Sequence, residues 1–446
     1  GSGGYNNPTW SSSNYLQYGG GGGGGGRIAI HCTTCASSVS GVNFGADGAR
    51  LPSGVTLSAQ GGVAGASKPG TSAWPLRGAP GPIFADAGGD RMVLLANHDG
   101  RSVSSASDAW TRLPTGAGVA PLLDRLIVYM ARAQLQTSPS FRRIDADGSD
   151  VELLEAVHAT ESVAIESGTW TLRAAFSTAT LSVGAAVELY TNADATPLEL
   201  SASSSLSFAG YAAAQRIVVA ATDATFVGNG TLDVSGRGHA EEAGTGAGVE
   251  TPFPNVYTGW SYLGNNRPEF SAYVGGSGAS HGGMGGDGDA VLNAQSAAPY
   301  GDLEAPSSFG SGGGEGRVQY FKQSRSHGLY NSDRSYGYHW RWYYGTAYRR
   351  DGGAGGGSIN VTVANALVLN GSSTALLADG LAGQDGIRTN TNQQAVAGGG
   401  GGAGGSVYVS ADSFEGSGRV RAAGGAGGSG GYTHLTSTSS SHLQFG

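Results

Sequence analysis

The chain has 446 residues, 81 of them glycine, and only 13% are charged, so glycine stands at more than twice and charge at about half the usual share. The glycines come in clumps rather than at every third position, which with only 15 prolines excludes collagen, while 39% apolar residues are too many for a disordered spacer. A net charge of −8 argues against nucleic acid, whose phosphates call for a basic stripe, and no run approaches the roughly 18 apolar residues of a membrane-spanning helix.

The first 19 residues, GSGGYNNPTWSSSNYLQYG, return at the far end as GSGGYTHLTSTSSSHLQFG, agreeing at 11 positions that include Tyr5/Tyr432, Leu16/Leu443 and Gln17/Gln444. Shared composition alone does not give that density of identity. Residues 1–446 therefore read as one repeat unit of a tandem array, with a period of 427 residues plus a 19-residue overlap in which 428–446 matches 1–19. The competing reading is a pair of unrelated Gly/Ser loops.

A glycine run at Gly19–Gly26 leads into a short apolar strand, Arg27–Ile30, and then into Cys32-Thr33-Thr34-Cys35. Zinc normally needs a second ligand pair, and a thioredoxin-like role needs a βαβ context. Cys32 and Cys35 are thus expected to form a local disulfide, in keeping with an oxidising compartment; buried thiols and a redox pair are the alternatives. Further on, DADGSDVE from Asp145 has the look of a calcium loop, but Asp150 and Ala156 stand where an EF-hand needs Gly and Glu. The aspartates read as a solvated turn, and no metal ligand set or cofactor is expected.

From Glu161 to Gly238 short runs alternate small or polar with apolar residues, as half-buried strands do. Three segments then line up: Arg216-IVVAATDATFVGNGTLDVSGRG, Ser358-INVTVANALVLNGSSTALLADG and Ser406-VYVSADSFEGSGRVRAAGG. Each opens on an apolar strand, passes a small polar corner and ends in a second strand ahead of glycine; Arg27-IAIHC with Val55-TLSAQGG is a degenerate fourth copy. Compact copies separated by about 20 to 25 residues predict one turn of a solenoid, with three or so short strands per turn and glycine at the corners. The expected fold is an all-β parallel β-helix (β-solenoid) with long glycine-rich loops, of which residues 275–316 form the longest.

Residues 317–352 read as an Arg/aromatic-rich insertion; Arg317–Arg350 carries ten aromatics and six arginines in 34 residues. Tyr336, Tyr338, Trp340, Arg341, Trp342, Tyr343, Tyr344 and Tyr348 are the candidates for contact with another copy or with a glycan, because aromatic faces and Arg planes stack on both rings and sugars. The bland alternative is an insertion that covers the flank of the solenoid. Asn229, Asn360 and Asn370 lie in Asn-X-Ser/Thr sequons and are candidate glycosylation sites, with structural turn asparagines as the competing reading.

The segments YGDLEAPSSFGSGGGEG from Tyr300, GGGGGGRIAI ending at Ile30 and GAPGPIFADAGGDRMVLLANHDGRS from Gly78 resemble large, secreted, glycine-rich parallel β-helix repeat proteins of microbes. The resemblance covers most of the chain but departs from it at Arg317–Arg350. It implies an extracellular or cell-surface location and a part in surface coats, adhesins or fibres. The expected function is a structural subunit of an extracellular filament, appendage or coat whose partners are copies of itself. A glycan-binding adhesin is the alternative, and a polysaccharide-cleaving enzyme a more distant one. Against catalysis, the repeat strands present Ala, Ser, Val and Thr where the paired carboxylates of a glycan-cleaving β-helix would stand; no catalytic residue is assigned.

Overall fold

The structure, a computed structural model, describes residues 28–32, 43–45, 48–50, 56–57, 83–87, 90–96, 111–113, 122–129, 131–135, 140–154, 157–173, 176–191, 196–249, 271–288, 296–329, 336–344, 348–386, 388–389, 394–395 and 397–430. Among them every regular element is a β-strand, and 20 strands belong to one large sheet built mainly from parallel pairs. The chain divides into two compact units: residues 1–233 with 360–375 and 409–419, and residues 234–359 with 376–408 and 420–446.

The first unit is a ladder of parallel strands. Leu126, Ile144, Val163, Leu181, Leu206, Ala224 and Leu367 stand at matched positions on successive strands, and none is more than 2% exposed. A second column two residues on runs Val128, Ala146, Ile165, Val183, Phe208, Phe226 and Leu369, with the Phe208 and Phe226 rings 5.5 Å apart. Each large aliphatic or aromatic rung so buried stabilises the fold by about 1.5–3 kcal/mol. Polar residues beside the columns pair across rungs as well: Arg142 reaches Glu161 at 2.5 Å and Arg125 reaches Asp145 at 2.6 Å.

The rungs recur close to the predicted period. Ile144, Val163 and Leu181 follow one another at 19 and 18 residues, Leu206 comes after 25 and Ala224 after 18. Leu367 then comes 143 residues later and Phe414 after 47 more. These two long intervals contain most of the second unit, so the ladder resumes in register after each excursion.

Single strands turn corners inside a rung. Val157–Leu172 keeps its register with Phe176–Thr191 in three straight runs separated by two shifts, after Ala159 and after Ile165, which is what β-bulges do to a strand that bends. Gly168 sits at the second corner with φ +114°, and a Cβ there would lie 2.0 Å from the Ser149 carbonyl oxygen. Both backbone angle and space demand glycine at that corner.

The described glycine clumps lie in the second unit, and the run 397–405 is not a loop. Residues 397–405 contain no strand until Ser406, yet they are buried and their hydrogen bonds repeat every third residue. Gly399, Gly402 and Gly405 donate their N–H to the carbonyls of Gln384, Leu381 and Ala378, while Gly400 and Ala403 donate to Gly314 and Ser311. The carbonyls of Gly400 and Ala403 accept from Gly353 and Gly356, those of Gly398 and Gly401 from Gly276 and Ala279, and those of Gly399 and Gly402 from Gly428 and Gly425. A period of three with bonds only to other segments is the geometry of an extended, polyproline-II-type helix. Residues 397–405 are thus a rod packed among the segments 276–280, 310–316, 351–357, 378–384 and 422–428.

Close packing explains the glycines. A Cβ on Gly400, Gly401 or Gly402 would come within 2.0, 2.1 and 2.1 Å of the carbonyl oxygens of Ser277, Gly425 and Ala354, three different neighbours. No glycine from 398 to 405 has positive φ, so backbone angle is not the cause here. Glycine costs about 0.5–1 kcal/mol of extra chain entropy against alanine in regular structure; at a 2 Å approach to backbone no alanine can stand, and sterics decides. Beside the rods, Gly316–Leu329 pairs antiparallel with Tyr336–Tyr344 over its outer part and with Ser271–Val274 and Tyr348–Arg350 over its inner part. Residues 317–350 supply most of this four-stranded antiparallel sheet, with Ser271–Val274 as its remaining strand.

Candidate functional site

The sequence-predicted residues fall in separate places. Asn229, Asn360 and Asn370 are all exposed, so each is accessible as an acceptor. Asn229 and Asn370 share a corner of the first unit but not a position: Val227 is the register partner of Asn370. The corner equivalence instead belongs to Gly228 (φ 61°) and Gly371 (φ 135°). Cys32 ends the strand Ile28–Cys32, opposite Ala87; its side chain and all of Cys35 lie outside the described residues, as do residues 1–19 and 431–446 of the repeat overlap.

Tyr336, Tyr338, Trp340, Trp342 and Tyr344 occupy alternate positions of one strand, with Leu329, His327, Arg325, Gln323 and Phe321 as Cα partners. Arg341 and Tyr343 fill the intervening positions, and Tyr348 pairs with Val318. The side chains of residues 317–348 are outside the described set.

The aspartates of residues 145–150 have protein partners. Asp145 binds Arg125, and the Asp147 carboxylate accepts the Ser167 hydroxyl at 2.5 Å. Their role is to lock neighbouring rungs.

The second unit has a groove of about 880 Å³ that sequence reasoning missed, formed by residues 278–286, 299–306, 401–407 and 420–425. It could not be read from the sequence because its walls are glycine rods brought together from distant segments. His281, 7% exposed, stands at its edge. Its Nδ1 is 2.8 Å from the Gly404 carbonyl oxygen, so Nδ1 carries the proton and donates; Nε2 then accepts the Ser308 hydroxyl at 2.8 Å. A serine hydroxyl on a histidine is the start of a nucleophile–base pair, but Ser308 does not line the groove, and a backbone carbonyl occupies the place of an orienting carboxylate.

The surrounding bonds identify this cluster as a tie. Tyr300 donates its hydroxyl to the Phe309 carbonyl at 2.5 Å and stands 2.7 Å from Ser311 Oγ, while Ser406 Oγ donates to the Ser308 carbonyl at 2.6 Å. Burial pushes the Tyr300 phenol above its ordinary pKa. The network pins residues 296–311 across the rods. Exposed Met284, Leu303 and Val420 border the groove, with Leu303 96% exposed.

The third candidate is the last rung of the ladder among the described residues. Phe414 continues the Leu126–Leu367 column in register with Leu367, yet it is 55% exposed, and the strand Ser413–Gly416 is exposed along most of its length. No family of known proteins matches the chain, and no curated protein or solved structure does so either.

Proposed function

We propose that the chain is a parallel β-helix unit of an extracellular filament, appendage or surface coat, and that such units extend end to end along the ladder axis. The observation that carries this reading is Phe414. Among the described residues, a column buried at every rung from Leu126 to Leu367 ends on an aromatic side chain left 55% exposed, on a strand for which Ala366–Asn370 is the register partner. Natural sheets blunt exposed edges unless they are used, and a solenoid continued by another unit buries its terminal rung and gains about 4.8 Å per added strand. The 427-residue sequence repeat supplies the next unit. Negative-stain imaging of the chain at rising concentration is the test: axial filaments are expected, and isolated particles at every concentration overturn the reading.

The adhesin reading has an observation of its own. Five aromatic residues stand at alternate positions of Tyr336–Tyr344, and aromatic residues are the ones that stack on sugar rings. Trp340→Ala with Trp342→Ala separates the two readings: loss of binding to immobilised glycans with unchanged filaments supports the adhesin, and loss of filaments places the array in the assembly contact.

A further inference from the structure

We infer that the groove beside residues 401–405 is a slot for one more glycine rod, and that its occupant is the run Gly19–Gly26 of a second copy of this repeat. The inference rests on the end-to-end reading above and specifies its junction.

The rod 397–405 uses most of its hydrogen-bonding directions. Its remaining donors, the N–H groups of Gly398, Gly401 and Gly404, have no partner among the described residues, and they recur at the same interval of three. In a planar trans peptide the C=O of one residue and the N–H of the next point opposite ways. The carbonyls of Gly400 and Ala403 accept from Gly353 and Gly356, so the N–H groups of Gly401 and Gly404 face directly away from the rod 351–357. The vacant direction therefore continues the line that runs from rod 351–357 to rod 397–405, and the groove lies alongside residues 401–405, between residues 278–286 and 420–425.

The groove walls carry glycine where this chain does not require it. A Cβ on Gly283 or Gly286 would meet nothing within 4 Å, and one on Gly424 nothing nearer than 3.7 Å. Within the packed rods the same construction gives about 2 Å. Bare backbone facing open space is what another rod needs in order to approach as closely as the existing ones do.

The sequence names the occupant. Rod 351–357 leads into the strand Ser358–Val363, and rod 397–405 leads into Ser406–Ser410. Gly19–Gly26, followed by Arg27 and the ladder strand Ile28–Cys32, has the same order, whereas the run 310–315 leads into the antiparallel strand Gly316–Leu329. The 427-residue offset sets Gly19 against Gly446, so in the repeat order this glycine run and strand follow next after the described rungs. An incoming Gly19–Gly26 accepts from Gly401 and Gly404, and Ile28–Cys32 pairs in parallel with the exposed terminal rung. The contact is heterologous, slot to rod, so it leaves a free slot and a free rod after each addition and, along the ladder axis, builds an open filament rather than a ring.

Two double variants test it. Gly286→Val with Gly424→Val fills the slot and leaves the rod free; Gly22→Val with Gly25→Val spoils the rod and leaves the slot free. Circular dichroism and melting temperature first confirm that each folds. By sedimentation, each alone is expected to need at least about tenfold more protein than wild type to polymerise, and the two mixed are expected to form dimers and nothing longer. If wild type polymerises and both variants polymerise equally well, the slot inference falls while the filament reading stands. Wild type that stays monomeric, with both variants melting lower, means that the chain's own Gly19–Gly26 fills the slot and overturns the second-copy assignment. Wild type that stays monomeric with unchanged variants overturns both.

Discussion

Asp379 holds Arg421 with one carboxylate oxygen, Oδ2, which lies 2.7 Å from Nε and 2.5 Å from Nη2, and uses its other oxygen to accept the Ala423 N–H at 2.8 Å. Six residues on, which is two turns of a three-residue helix, Asp385 repeats the backbone part by accepting Ser429 N–H at 2.7 Å. These two aspartates fasten the outermost rod, 422–428, to its neighbour. Asp379→Ala leaves the Ala423 amide without its acceptor, and the expected cost is about 1–3 kcal/mol. Hydrogen exchange localises it: amide protection should fall across residues 421–430 and stay unchanged at 397–405. Uniform loss in both rods would show that the aspartate supports the whole bundle instead.

Two positions in one column give a contrast that isolates burial. Leu206 is 2% exposed and Phe414 is 55% exposed, although both belong to the same ladder. Leu206→Ala should cost about 2–5 kcal/mol in urea unfolding, through lost transfer energy and a cavity, while Phe414→Ala should stay within about 0.5 kcal/mol in dilute, unassembled protein. A Phe414→Ala loss as large as that of Leu206→Ala would place Phe414 in the core of the isolated unit.

Glycines of identical local sequence should also separate. Gly401→Ala sets a Cβ 2.1 Å from the Gly425 carbonyl and is expected to prevent the rods from packing, whereas Gly424→Ala meets nothing nearer than 3.7 Å. The second substitution should leave the melting temperature unchanged or raise it slightly, since alanine reduces the entropy of the unfolded chain by about 0.4–1 kcal/mol. Equal losses at both sites would contradict the rod geometry.

Much of the ladder is legible in the sequence, because strand alternation and a repeat period follow directly from burying one face of a parallel sheet. The alignment of Arg216, Ser358 and Ser406 comes within one residue of the observed register, which pairs Ala224 with Leu367 and Ala366 with Ser413. The glycine rods are not legible in the same way. Backbone packing in three directions leaves no apolar pattern, only an absence of side chains, and such an absence reads equally as a loop. What distinguishes Gly398–Gly405 from a linker is which carbonyl each Cα touches, a relation among segments more than 100 residues apart in the case of Gly400 and Ser277. The groove was hidden for the same reason. The sequons at Asn229 and Asn370 fall in the same turn but two residues out of register, and there Gly228 rather than Asn229 adopts the positive φ.

Acidification should act oppositely on two glutamates. Hydrogen bonds from Arg142 and then Arg143 hold the Glu161 carboxyl below its ordinary value of 4.5. That contribution is complete above the unfolded value and is lost as the pH falls through the lower folded value. Glu241 is held above 4.5, first by burial and then by the charges of Asp351, Glu315 and Glu242. Its ionisation opposes folding at neutral pH, and protonation relieves the strain. Glu161→Gln should therefore lower the melting temperature at pH 7, and its difference from wild type should shrink as the pH falls below 4.5 and on through the lowered folded value. Glu241→Gln should raise it at pH 7, and that difference should already shrink as the pH falls towards 4.5. Both effects are small because both groups are exposed to solvent screening, so differential scanning calorimetry at matched ionic strength is the measurement. Differences that persist unchanged down to pH 3 would mean that shape rather than charge at these positions sets the stability.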